Sequence, residues 1–137
     1  MPKTTTVTRE QIENLIRRMN EIENARSTCT VDEIVAGISA LLAANSEGWV
    51  NGIHIPDRST KNKLNRALFE LVDDYHRAID HIVIDPPFVS FVWHMRSVKH
   101  NFEAHGCSIF EVDEAVLISR LWMYFDPAPF RAMGMQI

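Results

Sequence analysis

The hydrophobic period of this chain changes near Tyr75, and that change restricts the fold more than any other feature. Before Tyr75, apolar residues recur every three or four positions, the spacing of one helix face. After it they fall in strand-like runs separated by Pro86-Pro87, Asp113-Glu114 and Pro127. Helical patterns grouped ahead of a long strand meander, with one short strand among them, predict an α+β fold with helices on one face of a curved sheet.

The individual elements follow from caps and breakers. Thr8 with Gln11 reads as a capping box ahead of the stripe Ile12, Leu15, Ile16, Met19 and Ile22. Thr30 with Glu33 opens a second helix whose stripe is Ile34, Val35, Ile38, Leu41 and Leu42, stopped by Asn45 to Gly48. Trp49–Ile55 reads as a short strand ended by Pro56-Asp57. Ser59 or Thr60 caps a third helix facing inward with Leu64, Ala67, Leu68, Leu71 and Val72. Four strands, His76–Asp85, Phe88–His100, Phe102–Val112 and Val116–Asp126, then form an antiparallel meander. The expectation is one domain over 1–137: three N-terminal helices on a curved, mainly antiparallel sheet. Residues 1–7 form a flexible lead, and 128–137 an apolar tail suited to cover a pocket mouth, meet a partner or pack on the outer helices.

Composition supports a folded domain, with 46% hydrophobic and 23% charged residues in 137. The net charge of −4 offers no basic face, so no nucleic-acid partner is expected. No run of about 18 apolar residues predicts a membrane span, and the Thr-rich start lacks the apolar core of a signal peptide. Cys29 and Cys107 form no close motif, and free thiols point to the cytoplasm. Phe88–Val98 and Val116–Phe125 are apolar at both parities, so both sheet faces need cover. Helices cover one face, and a homodimer through the other is expected. The gap at the open end of the bent sheet suits a small hydrophobic ligand.

Three stretches carry a resemblance: Trp49-Val50-Asn51 with Pro56; Asp74 to Val83 running into Val89 to His94; and Ser108 to Val112 with Ile118 to Asp126. Over roughly residues 8–127 the chain resembles the SnoaL-like members of the NTF2-like superfamily, whose fold is an α+β cone. The resemblance implies a cone-shaped pocket for a small hydrophobic molecule and chemistry that mostly needs no cofactor. Polyketide cyclases, ketosteroid isomerases, limonene epoxide hydrolases and dehydratases share that fold with non-catalytic binding and dimerisation modules, so fold alone does not choose among them.

The resemblance also places the Trp of the last strand, Trp122, inside the cone, which would put Ile118, Arg120, Tyr124 and Asp126 on its face. Tyr124 stands where the epoxide hydrolases of the superfamily carry a catalytic Asp. A phenol is a hydrogen-bond donor and a poor base, which argues against epoxide hydrolysis. With even-numbered residues inward, Val92, His94 and Arg96 line the cone; His94 reads as the acid/base, or else as a core histidine satisfied by a neighbour. Asn51, spaced from Trp49 like the Tyr-x-Asn of the epoxide hydrolases, orients water or a carbonyl, or binds backbone as a strand-end amide. Trp49 and His54 lie near the same mouth. The expected catalytic set is His94, Tyr124, Arg96, Asn51 and Asp126, with Trp49, His54, Val92, Ile118 and Trp122 as substrate contacts and no cofactor or metal. The ketosteroid isomerase set does not carry over, because helix one lacks Tyr and Trp49–Ile55 lacks a carboxylate. The expected function is a cofactor-independent lyase, isomerase, cyclase or dehydratase, the alternative a non-catalytic binding or dimerisation module.

Overall fold

The computed structural model describes residues 5–137. Both capping boxes form: the Thr8 and Thr30 hydroxyls accept from the Gln11 and Glu33 amides, and those two side chains return the bond. They start α1 (Arg9–Glu23) and α2 (Val31–Ser39). The third helix, α3 (Arg58–Leu71), is capped earlier than expected, by Asp57, whose carboxylate accepts the Thr60 amide at 2.8 Å. Val7 packs into the core at 5% exposure, so the expected flexible lead does not extend to it; residues 1–4 lie outside the described residues.

The strands are β1 (Leu42–Val50), β2 (Ile53–Ile55), β3 (His76–Asp85), β4 (Phe88–Ser97), β5 (Phe102–Val112) and β6 (Ile118–Phe125). They form one sheet in the order β2-β1-β6-β5-β4-β3, antiparallel throughout except for the parallel pair β1 and β6. The meander from β3 to β6 is as expected. The segment before it is not. Leu42 to Gly48 is strand rather than the end and stop of α2, and Trp49–Ile55 is a hairpin rather than one strand. Its turn is Asn51-Gly52, with φ of 49° and 82°, the conformation that a tight two-residue hairpin requires.

The helices cover the concave inner face of the sheet. Ile12, Ile16, Ile34 and Phe69 from the helices meet Phe91 and Trp93 from β4, each at most 2% exposed. The apolar tail folds back as a short helix, α4 (Ala128–Ala132), and Phe130 packs edge-on against Phe102 at 5.2 Å. Among the described residues no helix is long and apolar enough to cross a membrane.

Candidate functional site

Strand parity decides which side chains reach the space under the helices. On β4 the odd residues Val89, Phe91, Trp93 and Met95 are buried and point inward, while Val92 and Arg96 are exposed. On β6, Leu121, Met123 and Phe125 line the inner cavity. This is the reverse of the parity expected from Trp122. That residue lies on the outer face, stacked on Trp49 at 5.4 Å, and Arg120 sits 5.6 Å over its ring.

The reversal moves most of the expected site out of the cavity. His94 lies on the outer face and bonds Asp80 at 2.9 Å, with its ring 5.9 Å from that of His105. Arg96, Val92 and Tyr124 are exposed on the same face. His54 is exposed, bonds Glu47 at 2.9 Å and stacks on Trp49. Asn51 is the turn amide: it donates to the Phe125 carbonyl and accepts from the Phe125 amide, both at 3.0 Å. The Asp126 carboxylate accepts the Ala128 amide at the start of α4. Of the ten expected residues only Ile118 lines the cavity, helped inward by the register shift between Glu111 and Val112.

The cavity lies between the helices, the inner sheet face and the folded-back tail, which contributes Phe130, Met135 and Ile137. Its walls are largely apolar. Trp93 is held in place by two features. Its indole N–H donates to the Ser108 hydroxyl at 3.0 Å, and its ring lies across Gly106, where a Cβ would come within 2.2 Å of it.

Three charged side chains enter this apolar space: Glu23 from α1, Lys61 from α3 and Arg77 from β3. Glu23 accepts from the Tyr75 hydroxyl at 2.7 Å and pairs with Arg77 Nη1 at 3.3 Å. Burial and the Glu23 charge hold the Tyr75 phenol well above its usual pKa, so it stays a neutral donor. Arg77 Nε donates to Asn20 at 2.9 Å, but Nη2 is buried without a partner among the described residues. Lys61, half-buried, stands at the cavity wall; among the described residues its amine bonds only Asn65 Oδ1 at 3.2 Å and the Met123 sulfur at 3.5 Å. Desolvation lowers the amine to about 8; Glu23 draws it up and Arg77 pushes it further down. An amine with that pKa exchanges protons near neutral pH.

None of these groups belongs to the expected site, yet each interrupts an apolar pattern. Glu23 continues the α1 stripe four residues after Met19. Lys61 stands at the stripe position before Leu64 and Leu68, and Arg77 shares the inward parity of Ile79. A charged residue at a core-facing position is the signal that identifies them. A second polar cluster, Asp73 with Lys99 at 3.0 Å and His100 at 2.8 Å, is exposed and satisfied internally. Its hydrogen bonds from His100 and Lys99 hold the Asp73 carboxyl at about 2.

No family model matches the chain, and no curated protein matches it. Solved structures do. A protein from Jannaschia Sp. CCS1 described as a putative SnoaL-like polyketide cyclase superposes with a TM-score of 0.75 at 6% identity, over 97% of this chain and 96% of that one. An NTF2-like protein of unknown function from Cytophaga hutchinsonii ATCC 33406 gives 0.66 at 11% identity, over 96% and 99%. A de novo designed protein with a curved β-sheet gives 0.71 at 16% identity, over 93% and 94%. A designed chain among the neighbours underlines that the likeness is one of architecture. With the helices on the concave face of a six-stranded sheet, the chain has the NTF2-like cone fold that SnoaL-like proteins share.

Proposed function

We propose that this protein is a cofactor-independent acid/base enzyme acting on a small hydrophobic molecule in the cone, with Lys61 as the proton carrier. The observation that supports this is the Lys61 amine, desolvated in an apolar cavity and bonded, among the described residues, only to an amide and a thioether. On carbonyl compounds, a lyase, isomerase, cyclase or dehydratase can begin with one shared step, removal of a proton next to the carbonyl. In the neutral form Nζ takes that proton, the C–H electrons move into the enolate, and the free donors of Arg77 Nη2 meet the oxygen where charge develops. The ammonium so formed returns the proton at another carbon or to a leaving hydroxyl. His94 and Tyr124, on the outer face, take no part.

The reading can be tested while the substrate is still unidentified. A panel of small ketones is incubated with the protein in D2O, and loss of α-hydrogen signal is followed by NMR. Exchange above the buffer rate, rising with pH through about 8 and absent in Lys61→Met, supports the reading. Ketones that raise the melting temperature without exchanging support the alternative, a non-catalytic binding module. We also propose that the outer face carries a second copy of the chain, because Val83, Phe88, Val92 and Tyr124 are 39–66% exposed there. Val92→Glu would then convert a dimer to a monomer in size-exclusion chromatography with light scattering, and a wild-type monomer would refute it.

A further inference from the structure

The cavity's charges do not balance. Of the three charged side chains that enter it, Lys61 and Arg77 are cations and Glu23 is the single anion. Glu23 is fully engaged, with one oxygen on Arg77 and the other on the Tyr75 hydroxyl. The described residues hold three buried polar side-chain atoms without a partner: Arg26 Nη2, Asn62 Oδ1 and Arg77 Nη2. Of these three residues only Arg77 lines the cavity. The remainder of its guanidinium is occupied by Asn20 and Glu23, and its side chain is 7% exposed. Lys61 has no carboxylate within ion-pair distance among the described residues; its partners are neutral.

We infer that the ligand of this cavity is an apolar monocarboxylate, its carboxylate held by Arg77 Nη2 and the Lys61 ammonium and its hydrocarbon body lying along Trp93, Phe110 and Leu121. This rests on the reading of the cavity as a small-molecule site and not on proton transfer by Lys61, because a bound carboxylate occupies the Arg77 donors and holds that amine as the ammonium. A neutral ligand would satisfy the free N–H groups and leave one positive charge uncompensated in apolar surroundings. A phosphate dianion would overshoot the single excess charge. One carboxylate cancels it, and its planar pair of oxygens fits a guanidinium edge. The anion also favours the ammonium form of Lys61, so binding and protonation are linked. The titratable and charged groups around that amine are Glu23 on α1, Arg77 on β3 and, behind Glu23, Tyr75, whose phenol is held well above its usual pKa.

The experiment compares octanoate with octanamide and octanol, bodies of one length with different heads, by isothermal titration calorimetry and melting temperature on either side of pH 8. Below that pH octanoate binds about 10-fold or more tighter than octanamide. The preference shrinks as pH rises and Lys61 loses its proton, and in Lys61→Met it no longer changes with pH. The double variant Glu23→Leu with Arg77→Met leaves no orphaned charge behind and loses the Arg77 share of the preference. Equal binding of all three heads overturns the inference while leaving the cavity a small-molecule site. Binding of none of them refutes the cavity reading as well. A carboxylate preference that keeps its wild-type size and pH dependence in both variants places the anion elsewhere and overturns the assignment to these two residues.

Discussion

The two faces of this sheet carry the same kind of pair, a nitrogen base against a carboxylate, in opposite surroundings. On the inner face Arg77 and Glu23 are 7% and 11% exposed; on the outer face His94 and Asp80 are 36% and 37% exposed. Water screens the outer pair and can replace either partner when it is lost. The inner pair has no such substitute, so each member depends on the other and on Tyr75 and Asn20. The buried pair is thus held in place by its own partners, whereas water can stand in for either member of the exposed pair. That contrast, more than residue type, separates the candidate site from the histidines that attract attention in the sequence.

The largest effect is expected where the inner network is cut on one side. Glu23→Ala leaves Arg77 as an uncompensated buried charge and the Tyr75 hydroxyl without an acceptor. It should cost about 3–5 kcal/mol in urea denaturation. Glu23→Leu combined with Arg77→Met removes both charges and should recover most of that loss. A Glu23→Ala cost below about 1 kcal/mol, the range of exposed pairs, would erase the difference between the faces.

Gly106→Ala should come next. Its Cβ would stand 2.2 Å from the Trp93 ring, whose far side faces the cavity, so the indole must shift and break its bond to Ser108. Overpacking of this kind costs about 1–3 kcal/mol. The expected accompaniment is a change in Trp fluorescence and weaker ligand binding. An unchanged spectrum and affinity would mean that Trp93 does not shape the cavity.

The same contrast explains what is legible in the sequence. The capping pairs Thr8/Gln11 and Thr30/Glu33 and the strands of the meander depend on local chemistry, and they form where expected. β1 is hidden because Leu41 and Leu42 extend the helical spacing of Ile34 and Ile38, and only pairing with β6 across the chain makes strand of this segment. Asn51-Gly52 is itself a turn signal, and it competes with a role for the Asn51 amide in a pocket; the turn wins. The site is obscured by parity. With apolar residues on both faces of β4, alternation alone does not give orientation. One asymmetry does: Val89, Phe91, Trp93 and Met95 include no charged side chain, whereas the other parity holds Ser90, His94 and Arg96. The face with the catalytic-looking residues is the one turned away from the cavity.

Lys61 ties stability to pH with a sign opposite to that of a paired lysine. In the unfolded chain its amine keeps its proton up to about 10.5, and in the folded chain it releases it at about 8. Between those values the unfolded state binds more protons, so this group makes stability rise with pH and weighs against folding at pH 7. Lys61→Met should therefore raise the melting temperature at pH 7 and flatten that rise. A fall in melting temperature at pH 7 would show the ammonium to be well solvated, removing the basis for its role in proton transfer.

The smallest effect is expected on the outer face. His94→Ala removes an imidazole that bonds Asp80 and lies beside His105 in partly solvated surroundings. Asp80 is then hydrated in its place, so the change in stability should stay within about 0.5 kcal/mol. The ketone exchange rate and the octanoate preference should be those of the wild type, since neither the cavity wall nor its charges are touched. Tyr124→Phe should behave alike, because its side chain lies on the same exposed face. Loss of exchange in His94→Ala, with Lys61→Met retaining it, would transfer the chemistry to the outer face. It would also mean that a partner subunit closes over His94 to supply the dry surroundings that Lys61 already has within one chain.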